Sequence, residues 1–201
     1  MSFKKNSLED FILDTKLNSS DRKRIRAYVM AQYPGIVPYI NDIWPKNEDS
    51  VHYVSVRNSD AKAQIVAIKG QPAFFTSKDE KVAKEVQQEF KVDRRWIPTL
   101  KLLHQYPCIL NLQQVDKGAI PFVLSGADVM CPGLTSKGGS LSPAQIHDVV
   151  AITAEGKQHA MAVGKMILDS ETIRTQNKGH GIKNLNVMCD GLWYLQDVLV
   201  S

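Results

Sequence analysis

Apolar residues early in the chain recur at helical intervals, then give way to short runs of strand length. A helix is expected from Ser19 or Ser20, as its cap, to about Gln32, with Ile25, Tyr28 and Val29 on one side and Tyr33-Pro34-Gly35 as its stop. A second helix is expected from about Pro38 to Trp44-Pro45. Ile36, Ile40 and Ile43 or Trp44 follow the i, i+4, i+7 spacing of a core-facing stripe. Val51 to Val56, Ala63 to Ile68 and Ala73 to Thr76 read as strands. The last two are joined through Lys69-Gly70-Gln71-Pro72, with Pro72 restricted to a strand start or an edge. Residues 1 to 17, with Phe3, Leu8, Phe11, Ile12, Leu13 and Leu17, read as a strand or irregular arm packed on the first domain.

Ser77 to Arg95 differs in character, being dense in Lys, Glu, Asp and Gln. Val82, Val86 and Phe90 recur every four residues, which suits a thin amphipathic helix on a solvated excursion. After it, Thr99 caps a helix that ends at Tyr106-Pro107.

The stretch Gln113 to Leu134 organises the second half. A short strand ends at Val115-Asp116. A short helix from Lys117 to Leu124 follows, with Asp116 as its N-cap and Pro121 tolerated in the first turn. Ser125-Gly126 then turns the chain, Ala127 to Cys131 reads as a second strand, and Pro132-Gly133 ends it. Val149 to Ala154 and His159 to Leu168 are apolar on both faces, as strands enclosed in a small barrel would be. Asp169 or Ser170 caps a helix to about Asn177, and Gly179-His180-Gly181 reads as the following turn. Leu185 to Cys189 is a strand, Asp190-Gly191 a hairpin signal, and Leu192 to Leu195 the closing strand.

Composition narrows the function. At 201 residues, 43% hydrophobic and 23% charged, the chain holds one domain or two small ones with an ordinary core. The net charge of +4 permits an acidic partner such as RNA without requiring one. Cys108, Cys131 and Cys189 are far apart and include no Cys-x-x-Cys pair, which argues against a zinc site or a disulfide scaffold; no metal and no cofactor is expected. No run approaches a membrane span and no signal-like segment follows Met1, so a cytoplasmic protein that uses no membrane is expected. The histidines are scattered, and no nucleophile–base pair, carboxylate pair or phosphate-loop glycine pattern is present, so catalysis is not expected.

The combined pattern around Val115-Asp116-Lys117-Gly118-Ala119-Ile120, Phe122 to Ala127 and Met130 to Ser136 resembles the core of a PUA domain. This RNA-binding module is named for pseudouridine synthases and archaeosine transglycosylases. Together with Pro98-Thr99-Leu100, Leu102-Leu103-His104 and Tyr106-Pro107, it is similar to the malignant T-cell-amplified sequence family of translation factors. The resemblance continues through Val149 to Ala160 and Asp190 to Trp193, and the Phe-Lys-Lys start and Tyr33 to Ile36 also look familial. It implies an α+β fold: an N-terminal α/β pre-PUA domain over 1–110, then a C-terminal PUA pseudobarrel over 111–201. The charged stretch of about 77–95 is longer than the family pattern and reads as an insertion. By resemblance, such proteins bind the small ribosomal subunit and pair with the density-regulated protein, which carries the cysteine metal site. They act in initiation and reinitiation, subunit recycling and the handling of tRNA. The implied partners are therefore RNA (rRNA or tRNA), the small subunit and a partner like the density-regulated protein.

The candidate RNA contacts are Lys117, the helix start at Gly118, the Gly126 and Gly133 backbone, and Lys137 and Lys157 on loops. Arg94 and Arg95 beside Trp96 suit a phosphate grip with a stacked base, or else the indole serves domain packing. The basic run Arg22, Lys23, Arg24 and Arg26 is either a solvated helix face or a phosphate-facing one. Two other readings stand beside the translation factor. One is a protein-interaction scaffold whose exposed apolar contacts would be Tyr39 and Trp44; the other is an accessory RNA-binding subunit of RNA modification.

Overall fold

The computed structural model describes residues 11–56, 63–76 and 79–195. The expectations for Phe3, Leu8, the Phe-Lys-Lys start and Ser77 lie outside these residues. Strand β1 (Phe11–Lys16) leads into helix α1 (Ser19–Gln32). The cap is Asn18 rather than either serine: its side-chain oxygen accepts from the Asp21 amide at 2.8 Å, which fits its position one residue before the helix. The single helix expected from Pro38 is instead a 3-10 segment, Pro34–Tyr39, followed by the four-residue helix α2 (Ile40–Ile43). Pro34 and Pro38 each lack an amide donor, so a continuous ladder does not form. The spacing still identified the core, for Ile36, Ile40, Ile43 and Trp44 are all buried.

Strands β2 (Val51–Val56), β3 (Gln64–Ile68) and β4 (Gln71–Thr76) follow. Lys69 and Gly70, both with positive φ, turn β3 into β4, and Pro72 is the second residue of β4. After helix α3 (Lys84–Phe90), strand β5 (Ile97–Pro98) completes an antiparallel sheet of order β1-β2-β3-β4-β5. Val82, Val86 and Phe90 lean on the core without being fully buried. Helix α4 (Leu100–Gln105) is capped by Thr99, whose hydroxyl accepts from the Leu102 amide at 3.2 Å.

The second half begins with β6 (Asn111–Val115), a 3-10 turn Lys117–Ala119 and helix α5 (Ile120–Leu124). The expected strand 127–131 shrinks to β7 (Val129–Met130), and Cys131–Thr135 is helix α6. Pro132 in its first turn needs no amide partner there, so it starts a helix instead of ending a strand. Then come β8 (Ser140–Leu141), β9 (Val149–Ala154), β10 (Ala162–Met166), α7 (Ser170–Gln176), β11 (His180–Val187) and helix α8 (Gly191–Tyr194). The closing strand expected over 192–195 is therefore helical. Asp190 accepts from the Val187 amide and from the Trp193 amide, both at 2.9 Å, and this capping replaces the expected hairpin. The long strand expected over 159–168 is reduced to β10, and the turn placed at Gly179-His180-Gly181 already belongs in part to β11. The sheet order is β7-β11-β10-β9-β6-β8, antiparallel except for the β6–β9 pair. Helix α6 touches β6, β7, β8 and β11, so it closes the curled second sheet.

The double-sided apolar character of β9 to β11 has a different origin from barrel enclosure alone. Val150, Ile152 and Ala154 face the second core, with Ala162, Met166 and Ile182. Val149, Ala151, Val163 and Leu185 belong to the first core, with Trp44, Phe74 and Leu100. One sheet thus serves as a wall for both halves. A buried polar junction reinforces this wall. Asn186 accepts from the Leu100 amide at 2.8 Å and donates to both carboxylate oxygens of Asp190.

Two N-cap carboxylates set loops at the barrel surface. The Ser136 hydroxyl donates to Asp116, and this contact, with the Ala119 amide at 2.9 Å, holds the Asp116 carboxyl below its ordinary value of 3.8. The Thr172 amide at 2.8 Å and the Thr172 hydroxyl hold Asp169 below 3.8 in the same way.

Replacing Asn186 by Ala leaves the Leu100 amide unsatisfied and strips Asp190 of two contacts, at a cost of about 2–4 kcal/mol. Urea denaturation checks this. Because the cores share one wall, a single transition is expected in both wild type and variant; two separate transitions would contradict the shared wall. The pH dependence has a definite sign. A carboxylate with a depressed folded value contributes stability that is complete above the ordinary value of 3.8 and is lost as pH falls below it through the lower folded value. The double variant Asp116→Asn/Asp169→Asn should therefore lose less stability than wild type between about pH 6 and about pH 3.

Candidate nucleic-acid interface

The end of β6 gathers three loops. The Asp116 amide donates to the Gly133 carbonyl at 2.9 Å, and its carboxylate holds both Ala119 and Ser136. Lys117, next in sequence, is therefore fixed beside the loop that carries Lys137. Gln114 fastens that same loop by donating to the Gly138 carbonyl at 2.8 Å. The Glu155 amide donates to the Val115 carbonyl at 2.9 Å, and Gly138 packs against the Glu155 side chain. Gly156, with φ of 74°, turns this third loop so that Lys157 projects from it. Lys117, Lys137 and Lys157 are all exposed and stand on loops fastened to one strand end.

Beside them lies a cavity of about 340 Å³ walled by Gly118, Phe122, Ala127, Asp128, Met130, Gly133 and His180. Phe122 is 65% exposed and Met130 52%, unusual for large apolar side chains with nothing to cover them. Gly126, with φ of 88°, reverses the chain after α5 and brings Ala127 and Asp128 back over the cavity, where Asp128 accepts from the Asn184 amide at 2.8 Å. Gly133 faces Ala119 so closely that a Cβ there would sit 3.3 Å from the Ala119 methyl, which keeps α6 tight against the Lys117 loop. A planar ring can lie on Phe122 while phosphates meet the neighbouring lysines.

Sequence reasoning missed parts of this wall. His180 was read as a turn residue, yet it pairs with Met130 across β7 and β11 and lines the cavity. Lys178 lies on the adjoining loop, whose Gly179 carbonyl accepts from the Cys131 amide at 2.9 Å. The signal for it is the alternation of buried Val129 and exposed Met130, which a single strand over 127–131 hides.

The other candidate residues lie elsewhere. Arg94 pairs with Asp93 at 3.7 Å. The Arg95 guanidinium donates to the His147 carbonyl of the second half, while its backbone amide donates to the Glu80 carbonyl at 2.6 Å. Glu80, 5% exposed, also pairs with Lys165 of β10. The charged stretch is thus pinned across the junction between the halves at both ends. Trp96 is buried and stacked on Tyr53 at 5.8 Å, so its ring serves packing rather than a base. Tyr39 is exposed and tilted over Tyr106 at 5.4 Å. Trp44 is only 1% exposed against Phe74, so the expectation of an exposed contact there is corrected. Among the described residues, no group of three His, Cys, Asp or Glu side chains is placed to hold a metal ion, and no helix is long and apolar enough to cross a membrane.

Comparison with known proteins agrees with this architecture. The family described as Pre-PUA-like domain matches residues 8–107, and the PUA domain family matches residues 112–188. Malignant T-cell-amplified sequence 2 of Homo sapiens is 43% identical over 181 residues, covering 90% of each chain. Translation machinery-associated protein 20 of Saccharomyces cerevisiae is 37% identical over 194 residues, covering 95% of this chain and 97% of the yeast one. Among solved structures, a hypothetical protein of Pyrococcus horikoshii superposes with a TM-score of 0.63 at 19% identity, covering 92% of this chain and 99% of that one, which shows a shared fold. With such identity along nearly its whole length, the chain belongs to the malignant T-cell-amplified sequence family and carries that family's pre-PUA and PUA domains.

Proposed function

We propose that this chain is a non-catalytic, RNA-binding factor of translation that works by grip. The observation that carries the proposal is the convergence of Lys117, Lys137 and Lys157 around the end of β6, next to a glycine-walled cavity with Phe122 exposed. Lysines supply phosphate contacts without sequence preference, while an exposed ring and close backbone suit an unpaired base. The presence of a PUA domain and the yeast relative's name, Translation machinery-associated protein 20, support the same reading. In this reading the RNA is rRNA or tRNA on the small ribosomal subunit, in the cytoplasm. The chain acts there in initiation or reinitiation, small-subunit recycling and tRNA handling, together with a partner like the density-regulated protein.

Sedimentation with purified small subunits, with and without such a partner, at low and moderate salt, tests the proposal. A folded protein that stays in the supernatant under all these conditions, and that binds no RNA at low salt, sinks it. The triple variant Lys117→Glu/Lys137→Glu/Lys157→Glu should bind RNA more weakly and flatten the plot of log affinity against log salt by about 2 to 3 units. An unchanged slope would place the phosphates elsewhere. Phe122→Ala should cost about 1–3 kcal/mol of affinity for single-stranded RNA. Its Tm should stay at the wild-type value, because the ring is 65% exposed.

A further inference from the structure

The outer side of α1 carries a second concave surface, away from the lysine-rimmed cavity. It is a groove of about 680 Å³ between α1 and the segment that runs from Val37 through Trp44 to Asn47. Its floor is apolar. Ala27 and Ala31, one helical turn apart, are exposed on α1; Met30 is half-buried, and Val37 is 45% exposed. Two small side chains one turn apart leave a shallow track into which larger apolar side chains can settle.

The rim is basic, and its charges are unequally compensated. Arg22 is neutralised by Asp49 at 2.5 Å, and Arg24, outside the groove, by Asp21 at 2.7 Å. Arg26 differs. Its guanidinium is held by the Trp44 carbonyl at 2.9 Å, the Asn41 side-chain oxygen at 2.9 Å and the Met30 sulfur at 3.5 Å, and none of these carries charge. Burial pushes this guanidinium below the usual arginine range. Lys23 and Lys46 extend the same rim and are exposed. The result is an apolar track flanked by fixed positive charge that lacks carboxylate partners among the described residues.

We propose that this groove is a docking site for an amphipathic helix of another protein, with an aliphatic edge set over Ala27 and Ala31 and acidic flanks facing Lys23, Arg26 and Lys46. Helix-in-groove binding joins these two complementarities, apolar area for affinity and opposite charge for orientation. RNA suits the groove less well. Ala27, Met30, Ala31 and Val37 offer bases no polar partner, and Arg22 is already neutralised by Asp49. The site goes beyond the RNA-binding role and does not depend on it.

NMR spectra of the isotope-labelled full chain, titrated with synthetic peptides, test the proposal. One peptide is a leucine-striped helix with glutamate flanks; its counterpart has the same stripe and lysine flanks; an RNA hairpin is the third probe. The acidic peptide should give saturable shifts at Ala27, Met30, Ala31 and Val37 with a Kd below about 1 mM. Lys23→Glu/Lys46→Glu should weaken it about tenfold, and the lysine-flanked peptide should leave the groove signals unmoved. Ala31→Glu, which places a like charge on the track, should abolish the shifts, and each variant's own spectrum reports whether it is folded. The proposal is overturned if the acidic peptide leaves the groove signals in place, or if both peptides bind alike. It is equally overturned if the RNA hairpin occupies the groove, or if the same signals move with protein concentration alone, which would indicate a second copy of the chain.

Discussion

The structure depends on one sheet having two buried faces. Strands β9, β10 and β11 turn Val150, Ile152 and Ile182 into the PUA core and Val149, Ala151 and Leu185 toward the pre-PUA core. Removing either half would expose an apolar face of the other. Each fully buried aliphatic side chain is worth about 1.5–3 kcal/mol, so the wall contributes far more than any surface ion pair in the molecule. Asn186 adds direction to this nonspecific term. Its oxygen caps the start of α4 in one half, while its amide satisfies Asp190 in the other, which fixes how the two halves meet.

That rigid frame lets flexible residue types form a defined surface. Lys117, Lys137 and Lys157 belong to three loops well separated in sequence, and nothing in their side chains brings them together. Backbone contacts do so: Asp116 to Gly133, Glu155 to Val115, and the Asp116 carboxylate shared between Ala119 and Ser136. The glycines act through geometry. Gly126 has the positive φ its turn requires, and Gly133 allows α6 to approach Ala119. The walls of the cavity are thus placed by residues that need not touch a ligand.

Most of the fold was legible because its signals are local and strong. The Asp116 cap, the Thr99 cap, the apolar strand 149–154 and the helical spacing of Ile36, Ile40 and Ile43 all read correctly from residue order. Two of the failures share a cause, since each involved a short polar or proline-bearing segment with two local solutions. Asp190-Gly191 fits a hairpin or a helix cap, and Pro132 fits a strand end or a first helical turn. Contacts with the buried Asn186 and with the Gly179 carbonyl decided between them. Trp44 was misplaced for a related reason: large aromatics suit both cores and contacts, and only packing against Phe74 distinguishes the two.

Charge shows the same division between local and tertiary information. A net charge of +4 says little about binding, because the sequence does not show which cations are already in use. The adjacent arginines 94 and 95 were the most conspicuous basic pair in the chain. One pairs with Asp93 and the other reaches the His147 carbonyl, tying the charged stretch to the second half. Lys165 is likewise committed to Glu80. Single lysines on glycine turns look unremarkable in sequence, yet Lys117, Lys137 and Lys157 are exposed and keep their field available to a polyanion. A cation locked across a domain junction has already spent its interaction on folding. In the proposed RNA-binding role, phosphate contact is therefore assigned to the isolated lysines around the end of β6 rather than to Arg94, Arg95 or Lys165.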